Sequence, residues 1–113
     1  MNNKILYLVC FSIFFFVISN NLKAQATPEG DYKVGDTKCT IKQDIQGNWR
    51  VYWGTADSST SLKYKENMMT GEQVWVETKR GRVVGNFILN NDYTLGRYIR
   101  FSDDAKLDVV KIQ

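Results

Sequence analysis

Three runs rich in β-branched and aromatic residues lie close together between Gly71 and Phe101: Val74–Thr78, Val83–Leu89 and Thr94–Phe101. Two turn clusters separate them, Lys79–Arg82 around Gly81 and Asn90–Asp92. Apolar runs of this length, bounded by Gly, Asn and Asp, predict an antiparallel meander. The rest of the chain must be compatible with a sheet built on this stretch.

The segments before and after it carry the same signature. Asp31–Val34 predicts a brief strand stopped by Gly35-Asp36. Across Thr37–Ile45, Cys39, Ile41 and Ile45 alternate with Lys38, Lys42 and Asp44, the period of a half-buried strand. After the turn at Gln46-Gly47-Asn48, Trp49, Val51 and Trp53 share one strand face, which predicts a hairpin. Thr55–Ser61 is small and polar and predicts a loop, followed by a short strand Leu62–Glu66 and a turn Asn67–Gly71. Ser102–Ala105 predicts the last turn and Lys106–Ile112 a closing strand. Helix is confined to a single turn at Asp57–Ser61 or Glu66–Met69. No segment sustains a 3.6-residue apolar period. The expected fold is all-β, a small antiparallel meander of seven or eight strands forming a barrel or half-open barrel, with a β-sandwich as the alternative.

Gly-x-aromatic occurs four times, at Gly30-Asp31-Tyr32, Gly47-Asn48-Trp49, Gly85-Asn86-Phe87 and Gly96-Arg97-Tyr98. Glycine in a strand permits a bend or a close approach, and a ring on the same face covers the space it leaves. Small barrels need such bends to close. The pattern resembles lipocalin-like barrels, which have a Gly-x-Trp near their start. That resemblance is architectural, because the chain is much shorter than a full lipocalin and lacks the rest of the signature. Two registers suit the central meander. A three-residue turn at Asn90–Asp92 gathers Val83, Phe87, Leu89, Leu95, Ile99 and Phe101 but leaves Arg97 opposite Gly85. A two- or four-residue turn puts Gly85, Phe87, Gly96 and Tyr98 on one face, and the glycine pattern favours it.

The N-terminus reads as an export signal of bacterial type. Lys4 supplies a positive charge, Ile5–Ile18 is almost unbroken apolar sequence, and Ala24-Gln25-Ala26 is a small-x-small cleavage site. The apolar run is shorter than the roughly 20 residues needed to cross a bilayer. Cys10 lacks the small preceding residue of a lipidated cysteine. The sequence thus predicts a signal peptide over 1–26, a single domain over 27–113 and a secreted or periplasmic location. Loss of Lys4 and Lys23 with the leader lowers the net charge from +3 to +1. A nearly neutral domain lacks the electrostatic footprint of a nucleic-acid binder. It also carries no integral membrane segment.

The chemistry available is narrow. The chain has no histidine, which removes the commonest general base, the commonest transition-metal ligand and every His-activated nucleophile. Cys39, the one cysteine after the leader, has no partner for a disulfide and reads as a small buried hydrophobe. No metal site or cofactor is expected. Glu66, Glu72 and Glu77 read as solvated strand-edge residues, and Asp103-Asp104 as turn residues. A hydrolase using a pair of those glutamates is the weaker alternative, since nothing in their spacing marks a pair held across a cleft.

Binding is the class that fits. Trp49, Tyr52, Trp53, Tyr64, Trp75 and Tyr98 offer more ring area than one face of a small core uses. Tyr52 and Trp53 are adjacent in a strand and must point to opposite faces. Trp75, flanked on its own face by Gln73 and Glu77, is expected to be partly exposed. Lys79, Arg80 and Arg82 sit on one turn, within reach of Arg97 and Arg100 for holding an anion. The candidate binding residues are therefore Tyr52, Trp53, Trp75, Tyr98, Arg97 and Arg100. The partner is a small molecule, a glycan or a protein. Inhibition of an enzyme or a surface-structural role through protein contact is the alternative within this class.

Overall fold

A computed structural model describes residues 26–54 and 58–112. The leader up to residue 25 and part of the expected Thr55–Ser61 loop lie outside the described residues. Eight strands follow one another: β1 Gly30–Val34, β2 Thr37–Gln43, β3 Trp49–Trp53, β4 Ser59–Asn67, β5 Gln73–Lys79, β6 Arg82–Leu89, β7 Leu95–Arg100 and β8 Ala105–Lys111. Each pairs antiparallel with the next, and β1 pairs with β8, so the sheet closes into an up-and-down barrel rather than a sandwich. Among the described residues there is no helix. β4 begins at Ser59, three residues before the expected strand, and runs to Asn67, which places strand where a helical turn was considered.

Turn chemistry sets the register. Lys79 faces Arg82 across a two-residue turn in which Arg80 (φ 53°) and Gly81 (φ 79°) both adopt left-handed backbone, the type I′ geometry that suits strand twist. In the β2–β3 turn, Asp44 Oδ1 accepts from the backbone N–H of Gln46 and of Asn48. The β6–β7 turn has four residues between Asn90 and Leu95, and Asn90 Oδ1 accepts from the N–H of Thr94 and of Leu95. An even turn gives the pairs Gly85↔Arg100, Phe87↔Tyr98 and Leu89↔Gly96. The four-residue register suggested by the glycines is the one present, and it turns Arg97 outward.

Inside the barrel, Tyr32, Val34, Cys39, Ile41, Val51, Leu62, Phe87, Leu89 and Val109 form the continuous core. Gly96 lies so near the Ile88 carbonyl and Leu89 that a Cβ there would overlap them, which fixes glycine at this position by close backbone approach. One end of the barrel is stopped by rings. Trp75 touches Tyr64 (centroids 5.4 Å apart), Trp49 (6.0 Å) and Tyr93 (6.4 Å), all edge-on. Tyr93 reaches inward from the β6–β7 turn, where its backbone is left-handed (φ 60°). Trp75 is only 7% exposed, a correction to the expectation of partial exposure. Its polar neighbours in sequence do not expose it, because Tyr93 and Trp49 cover it from other elements.

Candidate functional site

The opposite end is open. A cup of about 680 Å³ enters the barrel between the β1–β2, β5–β6 and β7–β8 turns. Its wall is largely apolar, with Val34, Val83, Val84, Phe101 and Leu107 around Trp53. Val83 and Phe101 are half exposed, so the rim itself presents apolar surface. Lys79, Arg82 and Arg100 stand at the mouth.

Glu77 lies at the base of this cup and is 1% exposed. This corrects the reading of Glu77 as a solvated edge residue. It shares the inward parity of Trp75 on β5, and a closed barrel turns that parity into burial. Its carboxylate is surrounded by donors. Oε2 accepts from Trp53 Nε1 (2.8 Å) and Thr60 Oγ1 (2.5 Å), and Oε1 accepts from the Tyr98 hydroxyl (2.5 Å). Three strands besides β5 are thereby tied to one side chain. A buried carboxylate without such donors would be strongly destabilising, whereas hydrogen bonds to a charged group contribute about 1.5–3 kcal/mol each.

Glycine makes this arrangement possible. Gly85 faces Glu77 across the β5–β6 ladder. A Cβ on Gly85 would lie 2.5 Å from the Tyr98 hydroxyl oxygen and 2.7 Å from two of its ring carbons. The ring that fills the space left by Gly85 thus comes from β7, and the missing side chain lets Tyr98 reach Glu77. Tyr98 also packs on Phe87 and Trp53, with centroids 4.7 and 5.5 Å away. Burial, then the bond to Glu77, pushes the Tyr98 hydroxyl above its usual range. Burial and then the negative field of Glu77 raise the Cys39 thiol to about 12, which makes it an unreactive core group.

Of the six candidate residues, the cup gathers Trp53, Tyr98 and Arg100. Arg100 is forked onto Asp103, with Nε to Oδ1 at 2.9 Å and Nη2 to Oδ2 at 2.8 Å. Tyr52 lies on the outer wall under Lys42, whose Nζ is 4.9 Å from the ring centroid. Arg97 is also outside, paired with Glu72 at 2.9 Å. Trp75 belongs to the closed end. The three glutamates do not converge: Glu66 is exposed, Glu72 is taken by Arg97 and Glu77 is alone inside. Among the described residues, no cluster of acidic or sulfur side chains is suited to hold a metal.

The sequence reading did not single out Glu77 and Thr60 as site residues. The signal for Glu77 was present, since a glutamate at the same parity as Trp75 is a polar group in an inward position. Thr60 gave no such signal, because it falls in a polar stretch that reads as loop. Comparison with known protein families, characterised proteins and solved structures finds no match to this chain.

Proposed function

We propose that this protein is an exported, non-catalytic binding module whose ligand is a small, mainly apolar molecule taken up through the open end of the barrel. The observation that carries this reading is the contrast between the unfilled, apolar-walled cup and the sealed opposite end. An eight-stranded barrel has room inside either for its own side chains or for one small ligand, and here rings fill one end only. Export rests on the leader sequence, Lys4 through Ala26. The Glu77 cluster holds Trp53, Thr60 and Tyr98 in a fixed arrangement at the base of the cup, so the site is preorganised. The absence of histidine and the separation of the glutamates support binding without catalysis.

Titration with the amphipathic dye 1-anilinonaphthalene-8-sulfonate, followed by its own emission and by tryptophan emission, tests this reading. The native protein is expected to bind one dye per barrel. Val83→Trp, placed at the half-exposed rim, is expected to weaken binding at least about tenfold while leaving the urea midpoint unchanged. Absence of dye binding by the folded protein, or equal binding by the Val83→Trp variant, contradicts the proposal.

A further inference from the structure

The barrel wall is not evenly paired around its circumference. β4 is nine residues long, yet it meets β3 through only three residue pairs, Arg50↔Ser61, Val51↔Thr60 and Tyr52↔Ser59. From Leu62 to Asn67 it is held by β5 and has no register partner on β3. β3 begins at Trp49, so β4 outruns it here, and beside this stretch lies a side cleft of about 670 Å³ that shares no lining residue with the cup.

Three rings line this cleft: half-buried Trp49, Tyr64 at 47% exposure, and Trp75. Asn48, Arg50, Ser61 and Lys63 also line it, all with polar groups. Trp75 Nε1 is buried and has no hydrogen-bond partner. A buried donor without an acceptor is destabilising and rare in folded proteins. The barrel therefore carries an unmet buried donor on a ring that lines the cleft.

Two kinds of occupant suit an unpaired stretch of strand: an added peptide strand, or a compact polar ligand. The edge itself argues against the peptide. β4 carries a register shift between Tyr64 and Glu66, and Lys63 and Lys65 are exposed along it. Bulges and lysines are the features by which proteins block strand addition. Rings interleaved with polar groups suit a sugar, whose apolar ring face stacks on an aromatic while its hydroxyls both accept and donate hydrogen bonds.

We propose that the side cleft is a saccharide-binding site separate from the cup, in which a sugar ring stacks on Tyr64 and Trp49 and displaces the rings over Trp75, opening its buried Nε1–H to a sugar hydroxyl. The site does not depend on the cup reading, and the tryptophans report on the two separately. Trp49 and Trp75 line the cleft, and Trp53 lines the cup.

The test is titration of the ¹⁵N-labelled protein with cellohexaose, chitohexaose, maltohexaose and hexagalacturonate, read on the three indole N–H resonances. The neutral and acidic sugars distinguish a stacking-dominated site from one that uses the Arg50 and Lys63 charges. At least one sugar is expected to shift the Trp49 and Trp75 signals and leave Trp53 in place. Tyr64→Ala is expected to weaken that sugar about tenfold, measured where the variant is folded, since losing its edge contact with Trp75 also lowers the urea midpoint somewhat. Trp75→Phe keeps a ring but removes the donor, and should also weaken it. The proposal is overturned if no sugar shifts Trp49 or Trp75 at concentrations on the order of 10 mM, or if Tyr64→Ala binds equally well. It is also overturned if a strand-forming Val-Thr heptapeptide shifts these signals and the sugars do not.

Discussion

The two ends of this barrel are built from the same strands and solve the interior in opposite ways. At the closed end Trp75 is surrounded by Trp49, Tyr64 and Tyr93, and these rings stop the interior of the barrel. At the open end the inward groups are drawn onto one carboxylate, Glu77, and the space above it is left empty. Ring packing gains stability from area and contact. A hydrogen-bonded carboxylate fixes geometry at little net gain, because its desolvation offsets much of what the bonds return. The difference assigns stability mainly to one end and, on the proposed function, ligand uptake into the barrel interior to the other.

The strongest challenge to that division is Trp75→Ala. Removing a central buried ring is expected to cost about 3–5 kcal/mol, read as a fall in the urea midpoint. The cup should still take up dye under conditions where the variant is folded. A loss below about 1 kcal/mol would mean that the closed end does not anchor the barrel.

Next in size is Gly85→Ala at the open end. The added methyl group meets the Tyr98 ring and is expected to cost about 1–3 kcal/mol. Most of this cost should vanish in a Tyr98→Ala background, a coupling that a double-mutant cycle measures directly. Equal costs in both backgrounds would show that Gly85 does not act through Tyr98.

Tyr98→Phe removes one donor from Glu77 and keeps the ring. It is expected to cost about 1–3 kcal/mol, and it should change the dye affinity of the cup more than Trp75→Ala does. The reverse order would blur the distinction between the two ends.

The smallest effect concerns acid. The Arg100 guanidinium beside Asp103 holds its carboxyl down at about 2, with the Ala105 N–H adding to the effect. Because the folded value lies below that of the unfolded chain, the contribution is present above the usual carboxylate range and is lost as pH falls towards 2. Asp103→Asn is expected to lower stability slightly at neutral pH and to flatten that part of the acid-unfolding curve, so that the two proteins converge as pH falls towards 2. The pair is exposed, so high salt should shrink the difference.

The sheet was legible in the sequence because its signals are local. Alternation along Cys39 and Ile41, the turn residues Arg80-Gly81, and the ring spacing at Gly85 and Gly96 each act within a few residues. The even turn after Asn90 followed from the glycines, and with it the inward position of Tyr98. Burial of Glu77 and Trp75 was less accessible, because each is covered by residues distant in the chain: Trp53 and Tyr98 for one, Trp49 and Tyr93 for the other. A charged residue at an inward position looks the same in sequence whether the strand borders water or a closed interior. The β4 extension back to Ser59 was hidden for a related reason. Ser59, Thr60 and Ser61 have no apolar alternation, and pairing with β3 and β5 makes them strand.

The division between the ends is tested most directly by the three tryptophans, one at the open end and two at the closed end. On addition of 1-anilinonaphthalene-8-sulfonate to the ¹⁵N-labelled protein, the indole N–H resonance of Trp53 is predicted to move while those of Trp49 and Trp75 stay in place. Movement of Trp49 and Trp75 with Trp53 unchanged would contradict it.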